Sequence, residues 1–178
     1  MKRLRPPCNV VVPCALLCAV LTSCDRSAKE PPSTEVVQHT NAALSAAQLP
    51  LLPEGVADVH CWTGGVFAKY MNVKFTASPD QVLDYFRRSG APYYFEFQAD
   101  EQRHYVITTH FLAAFSDYIV KPSLYELTYK TGIGSQPWFR SVYDIGHGWH
   151  YKWHKGAAGC QLYYDLDTQQ FYLYWYFS

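Results

Sequence analysis

The stretch GWHYKWHK, residues 148–155, has a period of two. Trp149, Tyr151 and Trp153 fall on one side, and His150, Lys152 and His154 on the other. This is the pattern of a half-buried antiparallel strand. A helix would gather His147, His150 and His154 on one face, but Gly146, Gly148 and the dense aromatics disfavour it. The extended form also argues against a metal shared by His150 and His154. It sets them roughly 13 Å apart, with the cation Lys152 between them. A histidine metal site would need His147 to combine with His60, His104 or His110 from elsewhere in the chain.

The flanking segments agree with a sheet. Residues 70–77, YMNVKFTA, alternate Met71, Val73 and Phe75 against Asn72, Lys74 and Thr76. YYFEF (93–97) and HYVITTHF (104–111) are short, aromatic and β-branched. At the C-terminus CQLYYD and QFYLYWYF flank the polar turn LDTQ, which predicts a hairpin. In its second arm Phe171, Leu173, Trp175 and Phe177 share one face. Tyr172, Tyr174 and Tyr176 share the other, either as a second core layer or with wet hydroxyls. Asp165 and Asp167 echo a calcium loop. The third acidic ligand, central glycine and closing glutamate of an EF-hand are missing, so they read as turn residues.

One helix is signalled. In ASPDQVLDYFRRSG, Ser78 is the N-cap, Pro79 the first helical residue and Gln81 completes a capping box. Val82, Leu83 and Phe86 form its apolar face, while Asp84, Arg87 and Arg88 lie away from it. Gly90 and Pro92 end it. Residues 112–130 are ambiguous: FLAAFSDYI is compatible with a helix, and Lys121-Pro122 stops whatever precedes it. The expected fold class is α+β, an antiparallel sheet with at least one helix packed on it, as a single small domain over residues 49–178.

The start of the chain has a different character. Lys2, Arg3 and Arg5 precede an apolar run from Val10 to Leu21, about half the length that spans a bilayer. A basic start and a short apolar stretch make a secretory signal. The run ends in Leu21-Thr22-Ser23-Cys24, which resembles the lipobox of bacterial lipoproteins. That resemblance implies a signal peptide over 1–23, cleavage before Cys24, and acylation of Cys24 on its sulfur and new amine. Several acyl chains on one residue suffice for stable attachment without a spanning helix. The expected location is the periplasmic side of a bacterial cell-envelope membrane. Asp25 resembles an inner-membrane retention signal. Residues 24–48 are polar, small or proline-bearing and lack aromatics, so most of them read as a flexible tether of roughly 25 Å. The portion NAALSAAQL within it has helical composition, and the sequence leaves its state open.

Signal cleavage also changes the cysteine count. Cys8, Cys14 and Cys18 leave with the signal and lipid blocks Cys24, so only Cys61 and Cys160 remain. In an oxidising compartment two thiols are expected to pair, provided their α-carbons come within bridging distance. The whole chain has 15 basic and 15 acidic residues, and loss of Lys2, Arg3 and Arg5 leaves 12 against 15. A slightly acidic domain with scattered charges gives no electrostatic reason to bind nucleic acid.

No cofactor is implied. VHCWTGG sets Cys61 beside an aromatic, loosely like the nucleophile segment of papain-like enzymes, and IGHGW offers His147 as a base. A cysteine hydrolase needs those two side by side, with a third group orienting the histidine. No residue at a family spacing supplies that group, and Gly64-Gly65 break the helix that such a signature opens. The favoured expectation is a binding or structural module with a protein or glycan partner in the envelope. Trp138 and Phe139, in a loop after Gly132, Gly134 and Pro137, are the candidate contacts.

Overall fold

The computed structural model describes residues 32–65, 69–100, 105–112 and 136–178. The signal segment, Cys24, Asp25, His104 and residues 113–130 lie outside the described residues. Nine main elements follow in chain order: α1 (Thr34–Ala46), β1 (Ala57–Gly64), β2 (Lys69–Thr76), α2 (Pro79–Arg88), β3 (Tyr93–Ala99), β4 (Tyr105–Phe111), β5 (His147–Lys155), β6 (Ala158–Asp165) and β7 (Gln170–Phe177). A 3-10 turn covers Val142–Asp144. The strands form one antiparallel sheet in the order β1-β2-β7-β6-β5-β3-β4. The class is α+β in a single small domain.

Local chemistry explains the central elements. Gly156, with φ of +61°, opens the two-residue turn joining β5 to β6, where a left-handed residue is needed. Asp165 organises the next hairpin. Its Oδ1 accepts from the backbone of Asp167 and Thr168 at 3.0 and 3.2 Å, and its Oδ2 accepts from Arg140 at 2.8 Å. The calcium-like spacing is therefore a turn and an ion pair. α2 carries the expected capping box on Ser78 and Gln81. Its buried face is Val82, Tyr85 and Phe86. Tyr85, rather than Leu83, completes that face, and its hydroxyl donates to the Pro50 carbonyl at 3.0 Å. Gly90 ends the helix at φ of +73°.

Both helices lie on one face of the sheet. There Phe75, Phe86 and Phe171 are fully buried, with the Phe75 and Phe171 rings stacked at 4.6 Å. The other face has its own core, built from Phe97, Tyr163, Tyr172 and Tyr174 under Phe139, Val142 and Ile145. The C-terminal tyrosines thus supply a second core layer: Tyr172 is fully buried and Tyr174 is 8% exposed.

Two expectations need correction. Most of residues 24–48 were expected as a flexible tether, with the state of 41–49 left open, but residues 34–46 form α1 and pack on the domain. Ser33 caps the helix, and Thr40 and Leu44 are fully buried. Asn41 Oδ1 accepts from the Leu52 backbone at 2.9 Å, pinning the helix to the chain that leads into β1. A few well-placed apolar contacts dock this segment despite its polar composition. The second correction concerns β5, which is buried on both sides at its centre. His150, expected on an open face, is fully buried beneath the second core, and neither ring nitrogen has a hydrogen-bond partner among the described residues.

Phe171 touches α2 and β2 at once, so Phe171→Ala should cost about 3–5 kcal/mol in urea unfolding. His150 gives a pH signature. Burial, reinforced by Lys152, lowers its pKa to about 3. The folded ring stays neutral while the unfolded ring takes up a proton below about pH 6.5. Stability present above that value is therefore lost as pH falls towards 3. Between pH 7 and pH 5 the loss from this group should be about 2 kcal/mol. The difference between wild type and His150→Phe in urea titrations at the two pH values measures it.

Candidate ligand-binding cleft

At the turn end of β5 and β6, the helix-covered face of the sheet is left partly open. Antiparallel register lines up Thr63, Met71, Trp175, Cys160 and Trp153 across five strands. The next row outward runs Lys69, Phe177, Ala158 and Lys155 across four. Alternation puts both rows on the same face as Leu162 and Leu173. Above them passes the last turn of α1, which contributes Ala43, Ala46 and Ala47. Alanine side chains are too short to reach the tryptophans, and a cleft of about 790 Å³ remains. This volume is within the usual range of small-molecule sites, roughly 300–1,000 Å³.

The cleft has a defined chemistry. Trp153, Trp175 and Met71 make an apolar floor, with Cys160 fully buried beneath. Lys69 and Lys155 are exposed at its outer row, three strand spacings or about 14 Å apart. No aspartate or glutamate lines it, and neither lysine is in an ion pair among the described residues.

The cysteines do not meet. Cys61 registers through Val73 and Leu173 to Leu162, two residues along β6 from Cys160. Three strand spacings separate them, about 14 Å before that offset is added. A disulfide requires α-carbons within about 4.4–6.8 Å. The expected Cys61–Cys160 bridge is therefore overturned: both thiols are free, with β2 and β7 between them. Burial pushes the Cys160 thiol pKa far above its ordinary value. Burial also raises that of Cys61, partly opposed by a hydrogen bond with Thr40.

The hydrolase pairing fails on the same geometry. His147 is on β5, four strand spacings or about 19 Å from β1. It lies instead against Glu96, at 3.3 Å from Oε1, while His110 Nε2 is 3.0 Å from Oε2 without hydrogen-bond alignment. Two of the histidines considered for a metal are thus brought to one carboxylate. Among the described residues, no group of three or more His, Cys, Asp or Glu side chains is arranged to hold a metal ion. His60 is elsewhere, on β1.

Trp138 and Phe139 are on the opposite face from the cleft. Phe139 is 7% exposed and packs edge-on against Tyr163 and Tyr172. Trp138 is half-buried and stacks on His60 at 5.1 Å. Beneath them Asp58, left-handed at φ of 51° beside a β-bulge, holds His60 at 2.9 Å and Lys74 at 2.8 Å. Burial raises the Asp58 pKa, but the bonds from Lys74 and His60 outweigh it and the net shift is downward. This cluster fastens the edge strand to β2.

No family model, curated protein or solved structure matches the chain. The cleft was not foreseen. Alternation assigns Trp153 and Trp175 to apolar faces, but only strand pairing sets them side by side.

The thiols provide a check. Alkylation of the denatured, unreduced protein followed by peptide mass spectrometry should modify Cys61 and Cys160 completely. In the folded protein Cys160 should stay unmodified. A Cys61–Cys160 linked peptide would contradict the register.

Proposed function

We propose that the protein is a lipid-anchored component of a bacterial cell envelope, and that its domain is a binding module. The anchor reading rests on Leu21-Thr22-Ser23-Cys24 and the basic, apolar segment before it. Among the described residues no helix is long and apolar enough to cross a membrane. The observation that carries the binding reading is the cleft beside α1. A tryptophan-floored hollow of about 790 Å³ exposes apolar area that water solvates poorly, and a ligand or partner group recovers that free energy.

The chemistry of the site favours holding over reaction. Its cysteine is a buried, protonated thiol, and among the described residues neither histidine nor carboxylate lines the cleft. A membrane attachment at Cys24 keeps the cleft within reach of bilayer components and of proteins at its surface.

Expression of the full chain in a bacterial host, with detergent phase partitioning and intact mass, tests the anchor. The mature species should begin at an acylated Cys24 and enter the detergent phase. Cys24→Ser should leave the precursor uncleaved and without acyl mass. A soluble species beginning at Met1 in the wild type would overturn the proposal.

A further inference from the structure

We infer that the cleft takes the alkyl chain of a long-chain fatty acid, with its carboxylate held at the lysine row. The inference deepens the binding reading above and rests on it. Three features on the same surface lead to it. The floor is apolar and aromatic, formed by Trp153, Trp175 and Met71. The wall is the alanine turn of α1, which offers no hydrogen-bonding side chain at Ala43, Ala46 or Ala47. Gln48, Thr63 and Tyr70 also line the cleft, but its floor and alanine wall present little that is polar to an occupant, as suits a hydrocarbon.

Charge then selects the head group. Among the described residues lining the cleft are two lysines and no acid, although the chain without Lys2, Arg3 and Arg5 has more acidic than basic residues. Lys69 and Lys155 come from different strands yet register in one row at the rim of the hollow. Both are exposed, and among the described residues neither is in an ion pair, so each ammonium group is open to an arriving anion on that side. A carboxylate on an alkyl chain matches an apolar interior with a cationic rim. A neutral sugar would stack on the tryptophan floor but bring no anion to the lysine row. The chain's own acyl groups at Cys24 would bring no anion to the lysines.

The test uses the full lipidated protein in phosphatidylcholine vesicles, with two photoactivatable diazirine probes, palmitic acid and hexadecanol. Labelling should map to peptides containing Trp153, Trp175 or Met71, and the acid should label about fivefold more than the alcohol. Lys69→Glu with Lys155→Glu should abolish that preference at an unchanged thermal midpoint. Ala46→Phe, which fills the cleft from an exposed helix position, should lower labelling by both probes. Equal labelling by acid and alcohol would overturn the fatty-acid inference while keeping the binding module. Absence of cleft labelling by either probe would overturn the inference as well, since the cleft would then take no alkyl chain, and would leave the binding module to a partner of other chemistry. Strongly increased labelling in Cys24→Ser would mean that the anchor's own chain occupies the cleft, and would also overturn the inference.

Discussion

The structure depends on the β6–β7 hairpin and on its burial from both sides. Leu162, Tyr163, Tyr164, Phe171, Tyr172 and Leu173 are all fully buried. Ordinary antiparallel sheets are wet on one face and need to protect only one row of side chains. Here the odd-numbered row of β7 packs under the helices, while the even-numbered row packs under the 136–145 segment. A one-residue slip would exchange these rows and set tyrosine hydroxyls against the Phe75 and Phe86 cluster. Register is thus specified by two cores at once.

That register sets the distances that matter for chemistry. It holds Cys61 and Cys160 apart, keeps His147 remote from Cys61, and lines up Trp153 with Trp175. The two free thiols are unequal in access. Cys160 is sealed in the core, and suppression of its thiolate removes the reactive form. One sheet edge is also managed. β1 carries the Asp58 bulge and its ion pairs, a device that discourages edge pairing.

Much of this was legible in the sequence, for identifiable reasons. The alternation in residues 70–77 and 148–155 and the C-terminal hairpin carried period-two signals strong enough to place β2, β5, β6 and β7. Ser78, Pro79, Gln81 and Gly90 delimited α2 through backbone chemistry alone. α1 was obscured because its docking combines Leu44 and Thr40 with small or half-buried residues such as Val36, Val37 and Ala43, and with the Asn41 contact, none of which makes a strong apolar stripe. Strand order was invisible, since pairing between β2 and β7 joins residues about a hundred positions apart. The cleft and the separation of the cysteines are both products of that order. His150 misled for a related reason: alternation places a side chain on a face without saying what covers it.

The most direct test of the central claim is residue-resolved amide hydrogen exchange. The account predicts that the amides of Leu162, Tyr163, Tyr172 and Leu173 exchange only through global unfolding, as the slowest in the domain, whereas those of the edge strand β4 open locally. Exchange in β6 and β7 faster than in β4 would contradict it.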